Sequence, residues 1–215
     1  MSEKQVPRTP DPSAVRAAKG ALRDRVLAAR RRRSPADAAR DGERLGAHLA
    51  AWPPVRRAAV VAAYVPTRGE PGTGPLLDAL AASGTRVLLP VLLADGDLDW
   101  AAYAGPASLA PARLGLLEPV GPRLGVDAVA RADVVLVPGL AVSPEGVRLG
   151  RGGGSYDRAL ARVPLGVATC VLLHAEEVGL AVPAEPHDRP VRAAATPDGV
   201  RLLGVSPPHR PGGPA

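Results

Sequence analysis

The chain has 215 residues and a formal net charge of +6, which is enough length for one α/β domain or at most two small ones. Hydrophobic residues make up 46% of it, which argues against wholesale disorder, but aromatic residues make up only 2%, so Ala, Val and Leu must fill the core. Its lone cysteine, Cys170, excludes an intrachain disulfide, and the lack of a signal-peptide segment or a bilayer-spanning apolar run predicts a cytoplasmic protein with no membrane partner.

Two amphipathic helices are predicted near the N-terminus, after a polar tail over residues 1–12. The first begins at Ser13, because the apolar residues that follow are spaced for one helical face: Val15, Leu22, Val26 and Ala29. The second begins after Ser34, which is placed to cap it, with Pro35 as its first helical residue. It is predicted to stop at Pro53 and Pro54, since proline does not continue a helix.

Short apolar runs alternate with helical segments through the rest of the chain. Strands are predicted over residues 58–64, 86–93, 98–103, 133–137, 165–173 and 191–195, and helices over 73–82 and 155–163. Pro90 marks the second of these strands as an edge strand, or marks its end. The alternation predicts an α/β fold: a single three-layer domain over residues 13–206, with an open, mostly parallel sheet covered by helices. Residues 207–215 are predicted to form a second flexible tail.

A run of four arginines, Arg30–Arg33, raises the possibility of nucleic-acid binding. No aromatic residues are interleaved with the run to stack on bases. It also lies where the first helix should end, and cations there complement the helix dipole. We therefore interpret the run as a solvated helix end, with a basic nucleic-acid-binding module as the alternative.

The loop after the strand over 133–137 is rich in glycine and arginine. It contains four glycines within five residues, together with two arginines, and a helix is predicted to follow it. The residues concerned are Arg148, Gly150, Arg151, Gly152, Gly153, Gly154 and Ser155. Backbone N–H groups of such a segment approach phosphate oxygens closely, and arginine binds phosphate through two N–H groups. Ligands of open α/β sheets bind beyond the carboxyl ends of strands, where this loop lies. It predicts a phosphate site, with a flexible linker as the alternative.

The same segment, from residue 137 to residue 158, resembles the signature V-P-G-L-A-F-D-x-x-G-x-R-L-G-x-G-x-G-Y-Y-D-R of 5-formyltetrahydrofolate cyclo-ligases. Three further segments resemble that family in the same order: residues 19–23 (K-x-x-L-R), 64–73 (Y-x-P…E-x-x-T) and 185–188 (E-x-H-D). Together the matches extend from about residue 19 to residue 196. The sequence departs from the family at Val142 and Ser143, which replace Phe-Asp, and at Ser155, which replaces the first aromatic residue of Y-Y-D.

The resemblance implies a ligase that converts 5-formyltetrahydrofolate and ATP to 5,10-methenyltetrahydrofolate, ADP and phosphate through a phosphorylated formyl intermediate. It implies Mg²⁺ as the cofactor, ATP as the co-substrate and a reduced folate as the small-molecule partner. Arg148 and Tyr156 are implied as catalytic, and Asp157 and Asp188 as metal ligands. The implied ATP-binding residues are Lys19, Arg23, Arg148, Leu149, Gly150, Arg151, Gly152, Gly153, Gly154, Ser155 and Tyr156. The implied folate-binding residues are Val65, Glu70, Arg151, Gly152, Gly153, Gly154 and Ser155.

Each implied role has a structural alternative. Lys19 and Arg23 could simply be solvated basic residues. Asp157 could be an acid that stabilises the first turn of a helix, and Asp188 could be a turn residue. Glu70 could belong to the start of a helix that Thr73 caps. His187 is interpreted as structural. Two other functions also stay open: a family relative that binds ATP but acts on another substrate, favoured by the three departures, and a sugar-phosphate-binding protein. We expect a monomer.

Overall fold

The computed structural model of the protein describes residues 11–67 and 69–204. The helices of these ranges are α1 (Pro12–Arg30), α2 (Pro35–Ala51), α3 (Pro53–Arg57), α4 (Gly74–Ala82) and α5 (Ser155–Ala161). The strands are β1 (Val60–Ala62), β2 (Arg86–Leu92), β3 (Leu98–Ala102), β4 (Leu109–Pro111), β5 (Leu117–Pro119), β6 (Val134–Pro138), β7 (Ala141–Val142), β8 (Arg148–Leu149), β9 (Ala168–Leu172), β10 (Ala193–Thr196) and β11 (Gly199–Leu202). Short 3₁₀ turns cover Pro106–Ser108, Arg113–Gly115, Val126–Arg131 and Ala175–Glu177.

A seven-stranded sheet in the order β11-β10-β9-β6-β1-β2-β3 organises the fold. The five inner strands pair in parallel, and β3 and β11 pair antiparallel at the two edges. Helices α2, α3 and α4 pack on one face, and α5 and the turn over Val126–Arg131 pack on the other. The predicted α/β fold with an open, mostly parallel, helix-covered sheet is therefore confirmed.

Aliphatic side chains fill both faces of the sheet, as the scarcity of aromatic residues requires. Successive residues of a strand point to opposite faces, so Val134 and Leu136 of β6 join one core and Val135 and Val137 the other. Burying a side chain of this size stabilises the fold by about 1.5–3 kcal/mol. The lone cysteine, Cys170, lies in β9 and is fully buried, and burial raises the pKa of its thiol.

Helix α1 packs beside the sheet, on the hairpin formed by β7 and β8. Leu22 and Val26 contact Leu140 and Leu149 in a third, smaller core. Asp11 caps the helix by accepting a hydrogen bond from the Ser13 N–H at 3.0 Å, so the helix starts slightly earlier than predicted, inside the proposed tail. The remaining predicted tail residues, 1–10 and 207–215, lie outside the described ranges. None of the helices in the described part is long and apolar enough to cross a membrane.

Several predicted elements need correction. Pro53 begins the short helix α3 instead of only ending α2. The strand that carries Pro90, β2, is not an edge strand, because it pairs with both β1 and β3. Strand β1 ends at Ala62, which pairs with Leu88, so it does not extend as far as Pro90. The proline's missing N–H therefore leaves no strand without a hydrogen-bond donor. The predicted last strand, β10, is followed by β11. The long loops before and after β6 each contain a small hairpin, β4–β5 and β7–β8.

The interpretation of Arg30–Arg33 as a solvated helix end is wrong for two of its four residues. Arg30 is buried, and its guanidinium donates to the Glu177 carboxylate and to the Gly139 carbonyl, each at 2.7 Å. Arg33 pairs with Asp41 at 2.6 Å and with Glu176 at 2.7 Å. These contacts tie the end of α1 to the loops that follow β6 and β9.

Candidate active site

A cavity of about 790 Å³ opens at the carboxyl ends of β1, β2 and β6, as expected for an open parallel sheet. Every site residue implied by the sequence lines it, although these residues come from four separate segments. One side of the cavity is polar and glycine-rich. The other side is apolar and includes Val65, Leu92, Leu98, Leu114, Leu116 and Leu117.

The glycine-rich segment is pinned in place, which contradicts the flexible-linker alternative. Arg23, on α1, donates from Nε to the Gly150 carbonyl at 2.9 Å. Gly152 and Gly154 have φ of 103° and 70°, a left-handed region that residues with a side chain rarely adopt. Arg158 holds the segment from the other side by donating to the Gly153 carbonyl at 3.2 Å. The backbone therefore crosses the cavity in a defined path before α5 begins.

Arg148 lies buried beneath this backbone and is paired with Asp157. Its Nη1 donates to the Pro138 carbonyl at 3.2 Å, and its Nη2 lies 3.1 Å from Asp157 Oδ2. The guanidinium carbon is 5.9 Å from the centre of the Tyr156 ring, within the range of a cation–π contact. A Cβ on Gly150 would stand only 2.8 Å from Arg148 Nη1, so this glycine lets the backbone approach the arginine. Burial raises the pKa of Tyr156, whose phenol therefore stays protonated.

Lys19 and Asp188 form a second ion pair. Lys19 Nζ lies 2.7 and 2.9 Å from the two oxygens of Asp188 and 2.8 Å from Glu185 Oε2. The hydrogen bond from Lys19 lowers the pKa of Glu185. The backbone N–H of Arg189 donates to Asp157 Oδ1 at 3.3 Å, so Asp157 contacts the residue that follows Asp188.

His187 does not have the structural role proposed for it. Its side chain is 68% exposed, and its Nε2 lies 4.0 Å from oxygens of both Glu185 and Asp188. Ligand atoms of these three residues lie within 4.8 Å of one another, a spacing that allows a metal ion.

Glu70 and Arg151 form a further ion pair in the lining of the cavity. Glu70 accepts from the Thr67 N–H at 2.8 Å and lies 3.3 Å from Arg151 Nε. Arg151 also donates to the Thr67 hydroxyl at 2.9 Å. Thr73 does not cap α4 as proposed, because its hydroxyl donates to the Tyr64 carbonyl at 2.8 Å. Arg148 and Arg151 thus pair with different acids, Asp157 and Glu70.

Several residues that line the cavity were not predicted from the sequence: Arg16, Tyr64, Glu185 and the apolar residues Leu114, Leu116 and Leu117. The Tyr64 hydroxyl is buried and has no hydrogen-bond partner among the described residues, which suits a group that contacts a ligand. Tyr64 and Glu185 belong to the motifs that carried the resemblance, so that signal was available. The three leucines belong to the hairpin β4–β5 in a predicted loop, where no periodicity marks them.

Two of the three departures from the family signature lie away from the cavity. Val142 is fully buried, and Ser143 shapes the following turn by accepting from the Glu145 and Val147 N–H groups, each at 3.2 Å. Neither lines the cavity, whereas Ser155 does. Only Ser155 can change substrate binding by direct contact.

A family model described as the 5-formyltetrahydrofolate cyclo-ligase family matches residues 15–197. The chain belongs to this family. A 5-formyltetrahydrofolate cyclo-ligase from Mycolicibacterium smegmatis is 40% identical over 186 residues, which cover 83% of this chain and 93% of that protein. The Escherichia coli cyclo-ligase is 34% identical over 180 residues, 80% of this chain and 96% of that one. This cyclo-ligase family member is therefore an enzyme of the ligase class, as predicted.

Solved structures support the same assignment. A 5,10-methenyltetrahydrofolate synthetase from Aquifex aeolicus superposes on the family member with a TM-score of 0.75 and 30% sequence identity, covering 89% of this chain and 96% of that one. A 5,10-methenyltetrahydrofolate synthetase from Mycoplasma pneumoniae has a TM-score of 0.67 at 19% identity, covering 83% and 98% of the two chains, which shows the shared fold.

Proposed function

We propose that this enzyme converts 5-formyltetrahydrofolate to 5,10-methenyltetrahydrofolate, consuming ATP and releasing ADP and phosphate. The observation that supports this best is that four separate motifs of the family meet around one cavity. The cavity has a polar, glycine-rich side for phosphate groups and an apolar side for the flat rings of a folate. The Glu70 carboxylate lines the same cavity and can accept hydrogen bonds from the ring system.

The need for ATP follows from the chemistry of the formyl group. The oxygen of an amide is a poor leaving group, so it must be activated before the carbon can form a new ring. The formyl oxygen attacks the γ-phosphorus, forming an O–P bond as the bond to ADP breaks. The nitrogen N10 then adds to the activated carbon, and phosphate leaves with the former formyl oxygen. The protein aligns the two substrates and neutralises phosphate charge.

We assign these tasks to residues of the polar side. Lys19 and Arg23 on α1, together with Arg148 and the backbone over residues 149–156, bind the triphosphate. Arg151 lies where the two substrates meet, because it contacts Glu70 while belonging to the glycine segment. Burial raises the pKa of Tyr156, so we assign it packing or hydrogen-bond donation and not the role of a base.

We also propose that Asp157 and Asp188 hold Mg²⁺. The residues fit such an ion, because both carboxylates line the cavity, the Arg189 N–H reaches Asp157, and each acid balances a positive side chain, Arg148 or Lys19. Mg²⁺ binds to proteins through one or two carboxylates, with phosphate oxygens and water completing its shell. Bound there, it would neutralise negative charge on phosphate oxygens.

The test follows the absorbance of the methenyl product. Purified full-length protein is mixed with Mg²⁺, ATP and 5-formyltetrahydrofolate, with reactions lacking ATP and with Asp157→Asn as controls. We expect ATP-dependent product that the folded Asp157→Asn variant fails to make. Product from Asp157→Asn at the normal rate would contradict the metal assignment, and no product from the natural protein would contradict the reaction.

A second candidate is a related enzyme that binds ATP but acts on a different substrate, and Ser155 favours it. This residue lines the cavity where the family signature has an aromatic ring. Loss of a ring removes apolar contact area for a flat ligand. If the second candidate is correct, the protein binds an ATP analogue but yields no methenyl product, and Ser155→Tyr improves folate binding.

The remaining proposals concern the state of the protein. We propose a cytoplasmic monomer with a single domain over residues 13–206. Nucleic-acid binding through Arg30–Arg33 is disfavoured because Arg30 and Arg33 are engaged by acidic side chains. Gel filtration with light scattering checks the monomer.

A further inference from the structure

Each acid proposed for the metal is paired with a cation proposed for the phosphates. Lys19 contacts both oxygens of Asp188, and Arg148 contacts Asp157. The pairs are shielded from water: the side chains of Lys19 and Asp188 are 5% and 9% exposed, and those of Arg148 and Asp157 are 3% and 18% exposed. Screening by solvent is therefore weak, so a metal ion that binds either acid is repelled by the cation already paired with it.

The two cations differ in how firmly they are held. Arg148 also donates to the Pro138 carbonyl, stacks near Tyr156 and lies beneath Gly150, so it has contacts that do not depend on Asp157. The ammonium of Lys19, in contrast, hydrogen-bonds only to Glu185 and Asp188 within the described part of the chain. Its four-carbon stem can rotate to a new position, which the wedged guanidinium of Arg148 cannot do as easily.

The oxygens of Asp188 cannot serve Lys19 and a divalent cation equally well. Mg²⁺ binds carboxylate oxygens at about 2.0–2.1 Å and demands near-octahedral geometry. An ammonium at 2.7 Å from the same oxygen would stand close to that ion with the same sign of charge. A metal that binds Asp188 therefore favours departure of Lys19, which lies on the cavity wall beside the proposed triphosphate site.

We propose that Lys19 is an exchangeable cation that neutralises Asp188 and Glu185 and moves to the nucleotide phosphates when a divalent metal takes its place. This inference rests on the proposed binding of metal and nucleotide in the cavity. The metal releases Lys19 for the phosphates, and phosphates that attract Lys19 free Asp188 for the metal. Metal and nucleotide then strengthen each other's binding beyond their direct bond, by the same factor in both directions.

The experiment measures the binding of Mn²⁺ alone and of a non-hydrolysable ATP analogue alone, the latter with a chelator present. Full-length protein and the variant Lys19→Met are compared by titration calorimetry. Because the competing ammonium is gone, we expect Lys19→Met to bind Mn²⁺ more tightly, by on the order of tenfold. The same variant should bind the metal-free analogue more weakly. Tighter Mn²⁺ binding together with weaker analogue binding is the result that the exchange predicts.

Arg23→Met is the matched control, because Arg23 lies on the same face of α1 but donates to the Gly150 carbonyl and not to Asp188. It should weaken analogue binding and leave Mn²⁺ binding unchanged. Glu185→Gln gives the reverse test: it removes one of the two acids that hold Lys19, so metal-free analogue should bind more tightly. This variant also keeps the proposal testable if Lys19→Met folds poorly.

Unchanged or weaker Mn²⁺ binding in folded Lys19→Met would overturn the proposal, since Lys19 would then be only a phosphate ligand or an organiser of the carboxylates. The outcome is separable from that of the proposed reaction. Methenyl product from the natural protein without the Mn²⁺ effect would contradict the exchange alone. The Mn²⁺ effect without methenyl product would contradict the reaction and leave the exchange standing.

Discussion

Arg30 and Arg148 make nearly the same contacts and yet serve different ends. Each whole residue is 4% exposed, each pairs with a carboxylate, and they donate to consecutive carbonyls where β6 ends and the next turn begins, those of Gly139 and Pro138. The two guanidinium groups therefore hold one turn from two sides. The pairs differ in what their acidic partners can reach.

Glu177, the partner of Arg30, has a side chain that is 3% exposed and also accepts from the His174 N–H at 2.9 Å. Asp157, the partner of Arg148, lines the cavity and is 18% exposed. A carboxylate that only the protein can contact contributes to stability, whereas one that faces the cavity is available to a ligand. The accessibility of the acid, more than the burial of the arginine, distinguishes a structural pair from a functional one.

The largest effect is expected from Arg30→Met. Glu177 would be left as a buried charge without its partner, which costs about 3–5 kcal/mol in the free energy of unfolding. Chemical denaturation of the natural protein and the variant measures this difference. The double variant Arg30→Met with Glu177→Gln should recover much of the loss, because no lone charge remains. A loss below about 1 kcal/mol would mean that water reaches Glu177.

Arg148→Met should instead reduce kcat/KM for the proposed reaction by about 100-fold, the size typical of removing one group that stabilises transition-state charge. Its effect on unfolding should be smaller than that of Arg30→Met, because Asp157 can be hydrated from the cavity. Steady-state kinetics and denaturation on one preparation give both numbers. Arg31→Met, at an exposed neighbour of Arg30, is the control that should change neither. Equal destabilisation by Arg30→Met and Arg148→Met would remove the distinction.

Gly139→Ala tests the turn that the two arginines share. A Cβ at this position would stand 2.6 Å from Val171 Cγ2 and 3.4 Å from Arg148 Cγ, so the turn or its neighbours must shift. Overpacking of this kind costs about 1–3 kcal/mol. We expect a moderate loss of both stability and turnover, measured as for the two arginines. A loss of stability alone would show that the two sides of the turn are independent.

The smallest effect is a pH dependence on the Arg30 side. His174 is buried next to Glu177 and its Nε2 lies 3.3 Å from the Gly69 carbonyl oxygen. Burial lowers the pKa of His174 below its usual value of 6.5, so the unfolded chain takes up a proton before the folded one. The histidine's contribution to stability is therefore complete above pH 6.5 and falls as the pH drops from there towards the folded pKa.

Melting temperatures at about pH 7.5 and about pH 5.5 test this contribution. The melting temperature of the natural protein should fall further from the higher to the lower pH than that of His174→Gln, whose side chain keeps a hydrogen-bond donor but does not titrate. An equal loss in both proteins would assign the pH dependence to other groups.

Sequence patterns predicted the elements whose signals are local. Ser34 caps α2 by accepting from the Asp37 N–H at 3.1 Å, as the N-cap pattern predicted, and the apolar runs gave the inner parallel strands. The edge strand β11 was missed because it is half-exposed and has no apolar run. An interior strand tolerates Pro90 because the neighbouring strand β1 ends before it, and the sequence of β2 alone does not encode where β1 ends.

The site was predictable through motifs, whereas the pairing of its charges was not. Residues 148–157 and Asp188, which the motifs placed in one predicted site, line one cavity, but nothing in either segment shows that Lys19 binds Asp188. The burial of Arg30 did leave a signal: it follows Leu22 and Val26 at intervals of eight and four residues, which places it on the apolar face of α1. Because Arg30 belongs to a run of four arginines, its place on the apolar face of the helix was overlooked.

The lone thiol in β9 can be used to measure local unfolding of the protein. Cys170 is fully buried in the core beneath α2, α3 and α4, and burial favours its unreactive thiol form. A thiol reagent can therefore label it only when the centre of the sheet opens, and the labelling rate in plain buffer measures that opening. Since the sequence contains no second cysteine, every labelled molecule is one that has opened at this strand. Arg30→Met and Arg148→Met can thus be compared without denaturant and without introducing a cysteine.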